Sequence, residues 1–252
     1  MKKIIIFICI LLMIYSADQI LTTKNKENEN INVYSRLQTL HNQEQQSADK
    51  LQNETDYTEN TDEAIDLIDI NNDYLGWIYM DGTSINYPIV QSHDNKEYLT
   101  RNFTGQWSIY GTPFLDKDMQ PTDSYKIIYG HSNNTVGQMF TDLKHLLDFD
   151  YYMQHKIIQC FDKDYEVVSV NVIDIHEDLP YWEIPQLNQD EQKNIIDAYK
   201  NASMILIESS NQSNDFILLS TCLMDAGEDT RLLVIAQCVG GSTSTFEGGS
   251  VE

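Results

Sequence analysis

The stretch FILLSTCLMDAGEDTRLLVIAQ, residues 216–237, decides the fold, because it holds two apolar runs separated by a short polar segment. The first run ends in Ser-Thr-Cys at Cys222, and the second begins at Arg231, nine positions later. Runs of this kind predict two strands, 216–222 and 231–239, joined by a polar loop. If the two strands are neighbours, the last residue of one lies beside the first residue of the next. The pattern therefore places a cysteine next to an arginine.

This pairing of Cys222 with Arg231 favours covalent catalysis. A nucleophilic cysteine must be reachable and able to form a thiolate, and a strand end gives it a fixed backbone with an open side. The fixed positive charge of Arg231 favours a neighbouring thiolate, and its N–H donors can stabilise an oxyanion. Because arginine does not deprotonate, the site also needs a separate proton-transfer group, which is most often histidine.

His131 is the strongest candidate among the six histidines. In YKIIYGHSNN it follows an apolar strand and Gly130, which is the strand-exit position that Cys222 also occupies. The other histidines lie in a polar stalk, a polar turn or charged stretches: His41, His93, His145, His155 and His176. The candidate catalytic trio is therefore His131, Cys222 and Arg231, with an ordinary surface or capping role for the histidine as the alternative.

The composition bounds the class of protein. The chain has 252 residues and is 41% hydrophobic, which is enough for one domain with a buried core and appendages. The formal net charge of −23 argues against nucleic-acid binding, since phosphates need a basic face, and against docking on an anionic membrane surface. The acidic residues are spread along the chain, which is typical of a solubilising surface.

The four cysteines do not predict a metal site. Cys9, Cys160, Cys222 and Cys238 include no CxxC pair, and no histidine lies at zinc-finger spacing from any of them. Cys160 and Cys238 fall in strand-like runs and are interpreted as core thiols. A disulfide between any two of the four stays open.

The N-terminal sequence MKKIIIFICILLMIYSADQI predicts a membrane anchor. Lys2 and Lys3 precede an unbroken apolar run, residues 4–15, which suits a signal-peptide core and is short for a membrane span. The small-x-small pattern of a signal cleavage site is poor here. We therefore expect an uncleaved anchor over residues 1–17, with its lysines inside and the rest of the chain exported. Cleavage and release is the alternative.

Three further segments follow the anchor. Residues 18–60 are polar and rich in Asn, Gln, Glu and Lys, so we predict a stalk with one or two weak helices. Residues 61–239 carry the strand patterns and form the predicted catalytic region, which opens with a helix from Thr61 that ends at Gly76. The Gly/Ser-rich tail, residues 240–252, is expected to be flexible.

The catalytic region predicts a mainly β fold with helical insertions. Seven segments have strand lengths and strand patterns: 84–90, 110–116, 125–131, 156–161, 165–175, 216–222 and 231–239. One helix pattern, residues 187–204, falls between the fifth and sixth of them. Many strands with few helices favour an α+β protein built on a closed β-barrel, with an N-terminal helix and one helix inserted between late strands.

These motifs resemble those of the sortase family, the Gram-positive cysteine transpeptidases. LSTC with an arginine opening the last strand, and YGH about ninety residues upstream, resemble the family pattern over roughly residues 61–239. Three stretches resemble class B in particular: GWIYMDGTSINYPIVQSHDNKEYLTRNF, YGTPFLDKD and HSNNTVGQMFTDLKHLLD. The helix predicted at 187–204 falls where class B inserts one. One position departs, because the family's Thr-Leu-x-Thr-Cys has Leu218 in place of its first threonine.

The resemblance implies a sortase-like barrel and a two-step acyl transfer. Cys222 would attack a threonine carbonyl in a C-terminal sorting motif of another exported protein and form a thioacyl enzyme. His131 would protonate the leaving amine and later deprotonate the acceptor amine of a cell-wall precursor or a pilin. Arg231 would hold the substrate and the oxyanion. Ser220 and Thr221 would border the peptide groove, unless their hydroxyls only satisfy strand-end backbone groups.

The same resemblance implies that no metal or organic cofactor is needed. It also implies a catalytic domain outside the cell, held at the cell membrane by a single N-terminal anchor. Two alternatives use the same residues. One is a thiol peptidase that releases the acyl group to water, and the other is a non-catalytic surface module that binds through the barrel.

Overall fold

The computed structural model describes residues 2–53, 66–133, 137–176, 179–205, 207, 212–222 and 229–241. The chain divides into two compact units, Met1–Leu67 and Ile68–Glu252. The predicted helix start at Thr61 lies outside the described residues, as do most of the loop after Cys222 and nearly all of the predicted tail.

The first unit contains one long helix, α1 (Lys2–Asn53), of 52 residues. No proline or glycine occurs in this segment, so no strong helix breaker interrupts it. The sequence predicted an anchor and then a stalk with one or two weak helices, whereas the described residues of these two segments form a single helix that ends at Asn53. Its part Ile6–Gln45 is long and apolar enough to cross a membrane. The anchor and stalk boundaries at residues 17 and 60 stay predictions.

The second unit is built on a closed β-barrel. The strands in the described part of the chain are β1 (Tyr74–Tyr79), β2 (Asn86–Val90), β3 (Phe114–Leu115), β4 (Tyr125–Tyr129), β5 (Ser132–Asn133), β6 (Gln138–Met139), β7 (Ile157–Cys160), β8 (Lys163–Asp174), β9 (Phe216–Cys222) and β10 (Thr230–Gly241). Eight of them form the barrel in the order β1-β2-β3-β4-β9-β10-β8-β7, and β7 pairs with β1 to close it. Strands β5 and β6 form a separate small sheet. The predicted closed barrel is confirmed.

Two of the barrel pairings are parallel, and one of them places the site. Strand β2 runs parallel to β3, and β4 runs parallel to β9. The other barrel neighbours are antiparallel. Because parallel strands run in the same direction, the exits of β4 and β9 lie at the same edge of the barrel.

Strand β1 is where the sequence prediction was wrong, since this segment was assigned to the end of a helix. In the described part of this segment, from residue 66 onward, the helix is the short α2 (Leu67–Ile70), and Gly76 lies within β1 rather than after a helix. A turn at Asn71 separates the two elements. Its carbonyl accepts a hydrogen bond from the Tyr74 N–H at 3.0 Å, and its side-chain oxygen accepts one from the Asp73 N–H at 2.9 Å. Asparagine favours this turn over a continued helix.

The inserted helix is confirmed as α4 (Gln189–Asn201), which lies between β8 and β9. Asn188 caps it, and its side chain accepts from the Glu191 N–H while the Glu191 carboxylate accepts from the Asn188 N–H. Besides α2, the short helices among the described residues are α3 (Phe149–Gln154) and three 3₁₀ helices, Glu97–Leu99, Thr141–Leu147 and Tyr181–Gln186, and none of these was predicted. Two of the 3₁₀ helices flank the site described below.

A buried ion cluster ties β4 and β8 to the segment that enters β9. Lys126 has no exposed side-chain surface and donates hydrogen bonds to the Asp215 carboxylate and, at 2.7 Å, to the Asp123 carbonyl. Lys163 donates to the same carboxylate at 2.7 Å, and the Tyr165 hydroxyl donates to it at 3.1 Å. Burial alone raises the pKa of Asp215, but the two lysines outweigh it and hold that pKa below its usual value.

We expect Lys126→Met to destabilise the barrel by about 3 kcal/mol, because it leaves a partly buried carboxylate with one cation instead of two. Urea unfolding of the full chain in detergent measures this. Lys193→Met is the matched control, since Lys193 pairs with Asp197 on the exposed surface and its loss should leave the unfolding midpoint close to that of the wild type. The Asp215 contribution is present above the unfolded-state pKa of an aspartate and is lost as the pH falls through the lower folded-state pKa. Equal unfolding midpoints for the two variants would contradict this assignment.

Candidate active site

Cys222 and Arg231 face each other across two neighbouring strands. Cys222 is the last residue of β9, and Arg231 is the second residue of β10. The antiparallel register pairs the two residues directly. Side chains opposed in this way lie on the same face of the sheet, with Cβ atoms about 5 Å apart. The sequence-based placement of a cysteine next to an arginine therefore agrees with the register of the strands.

His131 reaches the same edge from the other side of β9. Tyr129 pairs with Ser220 in the parallel register of β4 and β9, and the Gly130 N–H donates to the Ser220 carbonyl at 3.1 Å. His131 is the second residue beyond Tyr129, where β4 ends, and Cys222 is the second residue beyond Ser220. The parallel register therefore directs the chain at His131 toward the edge of the barrel where β9 ends at Cys222. The strand before His131, the strand that ends at Cys222 and the strand that carries Arg231 are adjacent in the barrel.

Gly130 is required for the chain to leave β4 as it does. A Cβ atom at this position would lie 2.6 Å from Cδ2 of the Phe140 ring, which is closer than carbon atoms pack. The backbone of Phe140 is held close to this position, because its N–H donates to the His131 carbonyl at 2.8 Å. The glycine that the sequence analysis noted before the histidine therefore allows an aromatic ring to pack against the backbone.

The imidazole of His131 has one hydrogen-bond partner in the described part of the structure. Its Nε2 atom lies 2.8 Å from the backbone carbonyl oxygen of Leu99, at the end of the 3₁₀ helix Glu97–Leu99. The His131 side chain is partly exposed, so it remains accessible to a substrate. Sequence analysis did not find Leu99, because a backbone carbonyl leaves no signature in the residue type.

Tyr181 is a site residue that the sequence analysis missed. Its hydroxyl lies 2.6 Å from Oγ of Ser220, and the side chain is buried. Burial raises the pKa of Tyr181, the hydrogen bond with Ser220 and the charge of Arg231 lower it, and Cys222 raises it. The phenol therefore lies within the electrostatic reach of both Cys222 and Arg231. The only sequence signal was an aromatic pair, Tyr-Trp, in an otherwise acidic connection.

The two predicted substrate-binding residues do not share a face. Successive side chains of a strand point to opposite sides, so Ser220 lies on the Cys222 face and Thr221 on the other. Ser220 is buried and bonded to Tyr181. Thr221 is also buried, and its Oγ1 has no hydrogen-bond partner among the described residues. Their role in binding substrate stays a prediction.

A polar network fixes β4 beside the site. The Tyr129 hydroxyl donates to the buried Asp116 carboxylate at 3.0 Å, and the Asn95 amide donates to the same oxygen at 2.8 Å. The Gln91 amide donates to the Asp116 carbonyl at 2.6 Å. Burial, the Asp116 charge and Tyr181 all raise the pKa of Tyr129, so its phenol stays protonated. Gln91 and Asn95 belong to one of the stretches that resembled class B sortases, and Asp116 belongs to another. Both stretches thus belong to the network that fixes β4, the strand that precedes His131.

The arrangement offers a thiol, an imidazole and a guanidinium at one edge of the barrel. A thiol can attack a carbonyl, an imidazole can move the proton, and a guanidinium can hold an oxyanion but cannot act as a base. This is the set of groups that acyl transfer through a thioester requires.

Comparison with known proteins shows which family uses this barrel. No family model matches the chain. Sortase B of Staphylococcus aureus is 31% identical over 179 residues, covering 68% of this chain and 72% of that protein. Sortase B of Listeria monocytogenes is 33% identical over 181 residues, covering 69% of this chain and 72% of that protein. The structure of a Staphylococcus aureus sortase B–substrate complex matches with a TM-score of 0.69 at 27% identity, covering 86% of this chain and 99% of that one.

The fold and these relatives make the protein a cysteine transpeptidase. The chain belongs to the sortase B family. The predicted resemblance to class B sortases is therefore confirmed, as are the fold class and the enzyme class. The N-terminal apolar helix fits membrane anchoring.

Proposed function

We propose that this sortase cleaves a C-terminal sorting motif of exported proteins and joins the remaining protein to an amine of a cell-wall precursor or of a pilin. The observation that supports this most is the strand register, which pairs Cys222 with Arg231 and sets β4, whose chain continues into His131, parallel to β9, which ends at Cys222. The solved Staphylococcus aureus sortase B carries a substrate, which supports a peptide ligand for the same barrel here.

In the first step, the Cys222 thiolate attacks the carbonyl carbon of a threonine in the motif. A carbon–sulfur bond forms, and the oxyanion accepts hydrogen bonds from the Arg231 guanidinium. His131 donates a proton to the leaving nitrogen, so the peptide carbon–nitrogen bond breaks and the C-terminal fragment departs. The product is a thioacyl enzyme.

In the second step, His131 takes a proton from the incoming amine, whose nitrogen attacks the thioester carbonyl. Arg231 stabilises the second oxyanion, the new amide forms and the Cys222 thiolate leaves. Two acyl transfers thus replace one difficult amide exchange. Water in place of the amine gives a free acid, which is the peptidase alternative.

The proposal places the barrel outside the cytoplasm, with the N-terminal helix as its membrane anchor. The part Ile6–Gln45 has the length and composition for a span, and Lys2 and Lys3 precede it on the side expected to face the cytoplasm. Labelling of single exposed cysteines with a membrane-impermeant maleimide in intact cells tests this orientation. Labelling of the barrel is the expected result, and labelling only after lysis would overturn it.

The function itself is tested by intact mass with a panel of sorting-motif peptides and an amine acceptor. We expect a peptide-dependent mass increase equal to the acyl fragment, and ligated product when the amine is present. Free acid at the same rate with and without amine would favour the peptidase. No adduct with any peptide, together with no enhanced iodoacetamide reactivity at Cys222, would favour the non-catalytic module.

A further inference from the structure

We propose that the backbone carbonyl of Leu99 is the positioning group of His131, and that Gly111 is the residue that lets this carbonyl stay in place. The inference rests on the proposed function, in which His131 moves the proton. It assigns a role in catalysis to the 3₁₀ helix Glu97–Leu99, which is remote from β9 and β10 in the chain.

The 2.8 Å contact between Leu99 and His131 decides which ring nitrogen transfers the proton. A carbonyl oxygen can only accept a hydrogen bond, so Nε2 must carry the hydrogen. In neutral His131 the proton-free nitrogen is therefore Nδ1. The partner of one ring nitrogen sets the state of the other. It follows that Nδ1 is the atom that gives and takes the proton in both half-reactions.

A neutral carbonyl suits this task because it accepts from both states of the ring. Nε2 carries a hydrogen in the neutral imidazole of this tautomer and also in the imidazolium. The ring therefore keeps the same partner when Nδ1 is protonated and when it is not. The orientation of His131 does not have to be reset between cleavage and ligation.

The turn that leads into the 3₁₀ helix is fixed by the Asp94 side chain. One oxygen of the Asp94 carboxylate accepts from the N–H groups of Lys96 and Glu97, at 2.9 Å each. These hydrogen bonds lower the pKa of Asp94, so the carboxylate that accepts them is charged at neutral pH. The Leu99 N–H then donates to the Lys96 carbonyl at 3.1 Å. The backbone that ends in the Leu99 carbonyl is thus ordered from its first turn.

Tyr98 anchors the same helix to the barrel. Its side chain is buried, and its hydroxyl donates to the Asp73 carboxylate at 2.7 Å and accepts from the Asn71 amide at 2.9 Å. Asn71 is the residue whose turn precedes β1. The helix therefore cannot rotate about its axis without breaking a buried polar network.

Gly111 closes the arrangement from the other side. Its φ of +59° is in the left-handed region, and a Cβ atom there would lie inside contact distance of the Tyr98 carbonyl oxygen and 3.0 Å from the Leu99 carbonyl oxygen. The next residue uses this close approach, since the Thr112 N–H donates to the Tyr98 carbonyl at 3.0 Å. Any side chain at position 111 must displace the two carbonyls, including the one that holds His131.

The first test is nitrogen NMR of the full chain in detergent with labelled histidine, in which His131→Asn identifies the His131 signals. We expect neutral His131 to be a single tautomer with hydrogen on Nε2. Hydrogen on Nδ1, or rapid averaging of the two tautomers, would overturn the inference. This readout needs no substrate, so it stands even if the proposed reaction is wrong.

The second test compares Gly111→Ala with Gly105→Ala. Gly105 also has a left-handed φ, +78°, but a Cβ atom there meets nothing within 4 Å, so it controls for backbone strain. We expect Gly111→Ala to lower kcat by about tenfold or more, with KM nearly unchanged and the tautomer signal averaged. Gly105→Ala should keep kcat within about twofold. Equal kcat for the two variants would overturn the role of Gly111.

A backbone ester covers the case in which Gly111→Ala does not fold. Replacing Thr100 by its α-hydroxy analogue turns the Leu99 carbonyl into an ester carbonyl, which is a weaker acceptor, and removes one turn bond from the Thr100 N–H to Glu97. The same change at Asp123 removes the equivalent bond to Gln120 and is the control. We expect a lower kcat only for the first ester. If the wild-type enzyme is active and the Thr100 ester variant has the same kcat, the positioning role is refuted. If the wild-type enzyme is inactive but His131 shows the expected tautomer, only the proposed function is refuted.

Discussion

Cys222→Ala removes the acyl-enzyme and lowers peptide cleavage by at least about 10⁴-fold, which is the scale of loss when a covalent nucleophile is deleted. The physical reason is that, among the residues that the structure describes at this edge of the barrel, no other side chain can take over the covalent acyl intermediate. Arg231 has no nucleophilic nitrogen at neutral pH, and the Ser220 hydroxyl is buried against Tyr181. The intact mass of the protein, measured after mixing with a peptide that the wild type cleaves, reports the adduct directly.

The matched control for this variant is Cys238→Ala. Cys238 is also a partly exposed free cysteine, but it lies near the far end of β10, where its Sγ contacts the Gly240 carbonyl at 3.6 Å. This variant should keep the adduct and the wild-type rate. An adduct that persists in Cys222→Ala and disappears in Cys238→Ala would move the nucleophile to the opposite end of the barrel.

His131→Ala is expected to lower turnover by about 10²- to 10⁴-fold, the usual contribution of general acid–base catalysis. Both half-reactions need the proton transfer, so acylation by peptide and release by amine should each slow. Single-turnover measurements with rapid quenching separate the two steps. Alkylation of Cys222 by iodoacetamide should slow as well, because the proposed mechanism makes His131 the base that activates this thiol.

His176→Ala controls for the loss of a histidine near the same edge. His176 follows β8 and is largely exposed, and its Nε2 atom lies 3.7 Å from the Asp229 carboxylate, close to the start of β10. Its removal should leave both half-reactions within about twofold of the wild type. If His176→Ala were as inactive as His131→Ala, electrostatics around the edge would explain the rate better than proton transfer by one residue.

Much of the site was predictable because its three residue types stand at strand ends that are visible as apolar runs. The segments FILLSTC and RLLVIAQ predict both strands and the loop between them. If these two strands are neighbours, the pairing of Cys222 with Arg231 follows directly. His131 was identified by the same signal, an apolar run followed by Gly130. Local sequence patterns are sufficient for these residues because each candidate lies at or next to the end of an apolar run.

The missed features depend on contacts between distant parts of the chain. Tyr181 matters because it meets Ser220, 39 residues away, and Leu99 matters because it meets His131, 32 residues away. Strand β1 was assigned to the helix predicted from Thr61 to Gly76, although Asn71 forms the turn that precedes the strand. The hydrophobic pattern of a short sequence segment does not show which distant residues it contacts.

The parallel pairing of β4 with β9 also has a consequence for how the enzyme becomes reactive. The Cys222–Arg231 pair is local and belongs to two consecutive strands, whereas His131 joins it only when strands about ninety residues apart associate. Contacts of such long range form late, because the entropy of closing a long loop must be overcome first. In the unfolded chain, Cys222 therefore lacks the histidine that the proposed mechanism assigns as its base. In that mechanism, assembly of the barrel itself activates the thiol.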